Sequence, residues 1–158
     1  MRTVRIASLA LALSALLVST AARADSVQHV VSVGGPDQDP TAHTDANFSL
    51  VAIQYGDGSV SGQWTDQFGQ GQGGVHVAVN CLSVAGNQAW IGGTITHGNV
   101  NGVDVTGVAV VTEVQDNGQS ANDPPDTISF TFFNLGVTCD QQPQLPLVQL
   151  TSGQVNVR

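Results

Sequence analysis

Apolar and polar residues alternate along most of the chain that follows residue 26. In VHVAVNCLSV, for example, Val75, Val77 and Val79 occupy every second position, and Cys81 continues the series. Alternation of this kind places side chains on the two faces of a β-strand, whereas an amphipathic helix repeats every 3.6 residues. The pattern therefore predicts an all-β fold, either an antiparallel β-sandwich or a partly closed barrel.

The alternating runs predict about eight strands, with turn residues rich in Gly, Asp and Asn between them. Breaks are expected at Gly107 and Gly136, and residues 34–40 are predicted to form a loop. That loop would leave the first strand at an edge of the sheet, where it could pair with another copy of the chain. The expected strands are Val27–Val33, Asn47–Tyr55, Ser59–Thr65, Gly74–Val84, Gln88–His97, Val103–Gln115, Thr127–Cys139 and Leu147–Val157.

The two cysteines, Cys81 and Cys139, both lie in strand-like runs and do not form a C-x-x-C motif. In an oxidising compartment, such a pair favours a structural disulfide over a reactive dithiol. Alternation places Cys81 with the apolar face of its strand, and Cys139 with Leu135 and Val137. We therefore predict a Cys81–Cys139 bond inside the core. The same reasoning directs Phe130 inward with Ile128.

The first 24 residues have the features of a secretory signal peptide. Arg2 and Arg5 precede an apolar run, and Ala22-Arg23-Ala24 resembles a cleavage site. We expect residues 25–158 to form a single secreted β domain, in the periplasm or outside the cell, without insertion into the membrane after cleavage. Residues 25–46 are an alternative candidate for a loosely attached N-terminal arm.

The charge of the chain excludes several classes of partner and chemistry. The sequence has 12 acidic residues against 4 arginines, no lysine and a formal net charge of −8. Removal of the leader takes away three of the arginines and leaves Arg158. Because binding to nucleic acid needs clustered basic side chains, nucleic acid is excluded as a partner. Schiff-base chemistry is excluded because it requires a lysine.

Acidic and amide side chains are concentrated in VQDNGQSANDPPDTISF, residues 114–130. Asp116, Asn117, Asp123 and Asp126 offer the oxygen atoms that Ca²⁺ prefers. The spacing is not that of an EF-hand, and Asp or Asn beside Gly and Pro also forms hydrogen-bonded turns. We expect turn formation and no cofactor, with calcium as the alternative. Further calcium ligands could then come from the acidic residues Asp37, Asp39 and Asp45.

Trp90 is the residue that best indicates a binding surface. Ala89, Ile91 and Ile95 alternate with it, so an inward orientation of these residues directs Trp90 outward. An exposed ring can stack on a saccharide; alternatively, the ring packs beneath a loop or a neighbouring strand.

The histidines and the single glutamate suggest no catalytic site. The histidines have no zinc-like pairing in the sequence, His76 is expected on a polar face, and His97 ends its strand. Glu113 is expected to be an outward strand residue. The sequence has no G-x-S-x-G motif, and Ser, His and Asp alone do not define a triad.

Three segments resemble a family of small secreted β-rich domains. They are VNCLSVAGNQAWIGGTIT, EVQDNG and PPDTISF, and they contain Ala-x-Ile-x-Gly, Val-x-Asp-Asn-Gly and Asp-x-Ile-Ser. The resemblance covers Phe48 to Cys139, and it departs at Gln119, where such sequences often have Glu. The family has no established activity, so the resemblance implies a β architecture alone.

Together these features predict a secreted, non-enzymatic β module with a binding or structural role. Its ligand, extracellular or periplasmic, is not identified by the residues. The first alternative is a calcium-stabilised carbohydrate-binding module. The less favoured alternative is a small secreted hydrolase.

Overall fold

The computed structural model describes residues 26–39, 44–120 and 122–158. The predicted signal peptide therefore lies outside the described residues. Eleven strands form one antiparallel sheet, and single 3₁₀ turns occur at Gly69–Gly71 and Cys139–Gln141. The strands are β1 (Val27–Asp39), β2 (Thr44–Tyr55), β3 (Val60–Phe68), β4 (Gly73–Ala85), β5 (Gln88–Val100), β6 (Val103–Asp104), β7 (Ala109–Gln115), β8 (Thr127–Ser129), β9 (Phe132–Phe133), β10 (Leu147–Gln149) and β11 (Gln154–Val157).

The strand order requires the sheet to curl. The main path runs β10-β8-β7-β5-β4-β3-β2-β1-β11, with β6 on β5 and β9 on β7. If this path were flat, its two ends would be about 38 Å apart, because neighbouring strands are spaced by about 4.8 Å. Only residues 150–153 join β10 to β11, and that connection spans at most about 18 Å. The two edges must approach each other, so the sheet is a half-barrel, and the all-β prediction of a partly closed barrel is confirmed with more strands than expected.

The main core lies inside the curl. It contains the inward side chains of nearly every strand. Its largest fully buried members are Trp64, Leu50, Ile91, Ile95 and Ile128. Short turns explain why consecutive strands are neighbours. The predicted break at Gly107 is confirmed, since β6 and β7 are separate strands.

The predicted loop is wrong for residues 34–39, residue 40 lies outside the described residues, and the edge position of the first strand is also wrong. β1 continues to Asp39 and lies between β2 and β11, with Val31 and Val33 buried. Glycine in this strand permits close backbone approach and does not end the strand. A β-carbon at Gly35 would overlap the carbonyl oxygen of Ser152, in the connection that leads into β11. Residues 27–39 are therefore part of the sheet and not a loose arm.

The long strand expected at Thr127–Cys139 is also wrong. β8 ends at Ser129, β9 contains two residues, and Cys139 begins a 3₁₀ turn. Ile128 points into the core as predicted, but Ser129 is fully buried and Phe130 is 37% exposed. The buried hydroxyl of Ser129 accepts a hydrogen bond from the Glu113 N–H, which explains how a polar side chain is accommodated there.

The Cys81–Cys139 disulfide is confirmed, but it lies on the outer face of the sheet. A register shift between Val79 and Cys81 reverses the alternation of β4, so that Val79 and Leu82 face the core and Cys81 does not. An extra residue in one strand has this effect. Cys81 and Cys139 pack instead in a second apolar cluster with Trp90.

None of the helical turns in the described ranges has the length and apolar character required to cross a bilayer.

Candidate functional site

Trp90 does not form an exposed binding surface. It points to the outer face of β5, as the alternation predicted, but only 6% of it is exposed. Residues 139–146, which we call the outer strap, cover it. The indole Nε1–H donates to the carbonyl oxygen of Pro143 at 2.8 Å. The expectation of an exposed Trp90 ring is therefore wrong, and the alternative given with it, that the ring packs beneath a loop, is confirmed.

Glu113 helps to hold the same strap. It is outward, as expected, yet only 4% exposed, and its Oε2 accepts a hydrogen bond from the Leu145 N–H at 3.0 Å. Gln88 donates to Oε1 at 3.3 Å. A buried carboxylate needs such donors to offset its lost hydration. Glu113 therefore has a structural role, which is to hold the outer strap against β7.

We expect Trp90→Phe to lower the free energy of unfolding by about 1 to 3 kcal/mol. The change removes one hydrogen bond, worth about 1 kcal/mol, and part of a buried ring. Urea denaturation measures the loss. Retention on polysaccharide columns should be the same for both proteins. If the wild type were retained on such a column and Trp90→Phe were not, the purely structural role of Trp90 would be contradicted.

The four residues proposed as calcium ligands instead form hydrogen bonds with backbone groups of other residues. Oδ1 of Asp126 accepts from the Asn117 N–H at 2.7 Å, and Oδ2 accepts from Val155 N–H at 2.6 Å. Oδ1 of Asp116 accepts from the Gly118 N–H at 3.1 Å, and Oδ2 from the Val157 N–H at 3.1 Å. The expected turn chemistry is present, and it extends further, because Val155 and Val157 belong to β11.

The other two proposed calcium ligands, Asp123 and Asn117, form hydrogen bonds within the loop between β7 and β8. Asp123 Oδ2 accepts from the Ser120 N–H at 2.8 Å, and Asn117 Nδ2 donates to the Pro125 carbonyl at 2.8 Å. Among the described residues, the one group of three or more His, Cys, Asp or Glu side chains with clustered ligand atoms is Cys81, Cys139 and Asp140. Its sulfurs are in the disulfide, so it lacks the thiolates that a metal would require. The side chains of Asp37, Asp39 and Asp45 lie outside the described residues.

Two histidines that the sequence left unpaired lie face to face on the outside of the sheet. His76 of β4 is directly opposite His97 of β5, with ring centroids 4.6 Å apart and ring planes inclined by 16°. Both side chains are exposed. The sequence predicts no zinc-like pairing and does not anticipate this stacking of two rings. His97 also does not end its strand, since β5 continues to Val100.

The signal for this pairing was available in the hairpin. Counting nine residues back from Ala85 and nine forward from Gln88 reaches His76 and His97. A two-residue turn sets the register of a hairpin, so residues equally distant from it face each other. Two register shifts lie between the turn and the histidines, and the pairing that the turn predicts is nevertheless retained.

A concave surface of about 700 Å³ surrounds the pair, and we call it the histidine groove. The polar residues of its lining are Thr65, Asp66, Gln67, His76, His97, Asn99, Asp104 and Thr106. Glycines contribute to the remainder of the lining, at positions 73, 74, 98 and 102. A β-carbon at Gly98 would overlap the Gly74 carbonyl oxygen, so glycine is required where β4 and β5 approach closely.

Two neighbours orient the groups of the groove. The Thr65 hydroxyl lies 3.3 Å from Nδ1 of His76. At the other end, the Thr106 N–H donates to Oδ1 of Asp104 at 2.8 Å. Hydrogen bonding by the Thr106 side chain and N–H lowers the pKa of Asp104, and the charge of nearby His97 contributes in the same direction.

Comparison with protein-family models, curated proteins and solved structures found no match to this chain.

Proposed function

We propose that this chain is an exported, non-enzymatic β module that binds a small ligand in the histidine groove. The observation that carries the proposal is the groove itself, where two exposed imidazoles and a carboxylate meet in a concavity of about 700 Å³. Small-molecule sites are typically concave surfaces with a few convergent polar groups. The signal-like leader and the disulfide support export.

The buried acidic side chains support a non-catalytic role. Glu113 and Asp126 are engaged by backbone N–H groups, and Asp66 accepts a hydrogen bond from the Thr131 hydroxyl. These three carboxylates are 3–7% exposed. A glycosidase acid and base must instead face a shared substrate. These hydrogen bonds support a structural role for the three buried carboxylates, and the groove presents two exposed imidazoles and the exposed carboxylate of Asp104.

A thermal-shift panel on the mature chain tests the proposal. Neutral sugars, dicarboxylates, polyamines and divalent cations would each be added to the wild type and to His76→Gln/His97→Gln. We expect at least one class to raise the melting temperature of the wild type and not that of the variant. A ligand in 100-fold excess over its Kd stabilises a protein by about 2.7 kcal/mol. If no class distinguishes the two proteins, the groove is not the binding site.

A further inference from the structure

We propose that His76 and His97 form a surface site for a divalent transition-metal ion, beside the negative charge of Asp104 in the same groove. This inference rests on the proposed function, because it names the ligand class of the histidine groove. Imidazole is a preferred ligand of Cu²⁺, Ni²⁺ and Zn²⁺. The two rings come from adjacent strands and are held in register by the β4–β5 ladder.

The separation of the rings suits a shared ion. With metal–nitrogen bonds of about 2.0–2.1 Å, two nitrogens on one tetrahedral ion lie about 3.3 Å apart. The ring centroids are 4.6 Å apart and the planes nearly parallel. The rings must tilt out of the stacked arrangement to bind one ion, because a metal lies in the plane of each imidazole that it binds. Both side chains are exposed, and exposed side chains change rotamer readily.

Thr65 positions one of the two rings. Its hydroxyl lies within hydrogen-bond distance of His76 Nδ1, at 3.3 Å. A metal-bound histidine usually donates its second ring N–H to a neighbouring group, which sets the tautomer and the ring orientation. When Nδ1–H donates to Thr65, the lone pair is on Nε2. That nitrogen is then the ligand atom of His76.

Asp104 supplies a carboxylate on the same side of the groove. β6 pairs with β5 so that Asp104 is opposite Asn99, two residues after His97. Diagonal neighbours in an antiparallel pair are about 7–8 Å apart, within reach of side chains of this size. The Thr106 N–H holds one carboxylate oxygen of Asp104. The carboxylate is not clustered with the two imidazoles, so it favours a bound cation through its charge, and coordination by two imidazoles leaves positions for water or a further ligand.

Isothermal titration calorimetry of the untagged mature chain with CuCl₂, NiCl₂, ZnCl₂ and CaCl₂ tests the site. We expect Cu²⁺ to bind most tightly, in a one-to-one complex, as the general affinity order of divalent ions requires. Ca²⁺ should give no binding at this site, because it prefers oxygen ligands. His76→Gln or His97→Gln should weaken Cu²⁺ binding by about 100-fold, and Thr65→Val by about 10-fold.

One matched variant serves as the control. His29 lies on β1 beside the carbonyl oxygen of Arg158, away from the groove. His29→Gln should leave the affinity unchanged. Because His76 and His97 are exposed, their variants should also keep the metal-free melting curve of the wild type.

Unchanged Cu²⁺ affinity in His76→Gln/His97→Gln would overturn the metal site, and so would loss of affinity in His29→Gln. Calcium binding as tight as copper binding would also overturn it. The test of the metal site is distinguishable from the test of the proposed function. If Cu²⁺ does not bind but another ligand class stabilises the wild type and not the double variant, the groove remains the binding site and only its metal assignment is wrong.

Discussion

Replacing Asp126 with asparagine should lower the free energy of unfolding by about 2 to 4 kcal/mol. The two carboxylate oxygens accept hydrogen bonds from Asn117 and from Val155 of β11, and the side chain is only 7% exposed. Asparagine keeps one acceptor oxygen but presents an NH₂ group to the second N–H donor. One buried N–H then loses its partner, and the charge that strengthened both bonds is gone.

The expected loss reflects the position of Asp126 where the sheet closes. β11 pairs with β1 on one side, and the carboxylates of Asp116 and Asp126 bind its N–H groups from the β7–β8 loop. The Leu150 N–H also donates to the Asp126 carbonyl oxygen, at 2.9 Å. These bonds replace the backbone ladder that a fully closed barrel would have at this place.

Asp123→Asn is the matched control, because this aspartate belongs to the same loop but is exposed and accepts from Ser120 only locally. Its variant should lose less than about 1 kcal/mol. Guanidinium denaturation with linear extrapolation measures both. Hydrogen exchange should also accelerate at Val155 in Asp126→Asn. Equal losses in the two variants would show that the closure does not depend on Asp126.

Removal of the disulfide should have the other large effect. In Cys81→Ala/Cys139→Ala, we expect a loss of about 4 kcal/mol in the free energy of unfolding. The bond joins residues separated by 58 positions, and cross-linking a loop of that length reduces the entropy of the unfolded chain accordingly. The outer strap should remain docked, since Trp90 and Glu113 still bind it, but with faster hydrogen exchange at Leu145.

A noncovalent contact of the same strap is the control for this prediction. Gln142 donates to the Ser83 hydroxyl at 3.0 Å on the exposed surface. Gln142→Ala should lose less than about 1 kcal/mol, because an exposed hydrogen bond is exchanged for bonds to water. If the double cysteine variant loses no more than Gln142→Ala, the cross-link does not constrain the unfolded state as proposed.

Local pattern accounts for the strands and the fold class. The alternation of Val75 and Val77 and the turn at Gly86-Asn87 are sufficient for the β4–β5 hairpin, and Asp and Asn near Gly118 are sufficient for a turn. Each depends on contacts between residues that are close in sequence. The spacing of the two cysteines and their positions in strand-like runs likewise predicted the disulfide.

Local pattern was misleading wherever a distant segment decided the outcome. Trp90 has the pattern of an exposed residue, but a strap more than fifty positions later buries it. Gly35 has the composition of a loop, but the connection that leads into β11 packs against it. Cys81 continues the alternation of Val79 in sequence, but a register shift turns it to the opposite face.

The sequence by itself determined that this chain forms antiparallel strands, because the two-residue period and the turn chemistry are local properties. It also limited any internal disulfide to one pair, because the chain has two cysteines. Only the tertiary structure decided which outward side chains are covered, how Asp126 joins the sheet edges, and that His76 and His97 share an open groove. Coverage and closure depend on packing between segments far apart in the chain. No short window of residues contains that information.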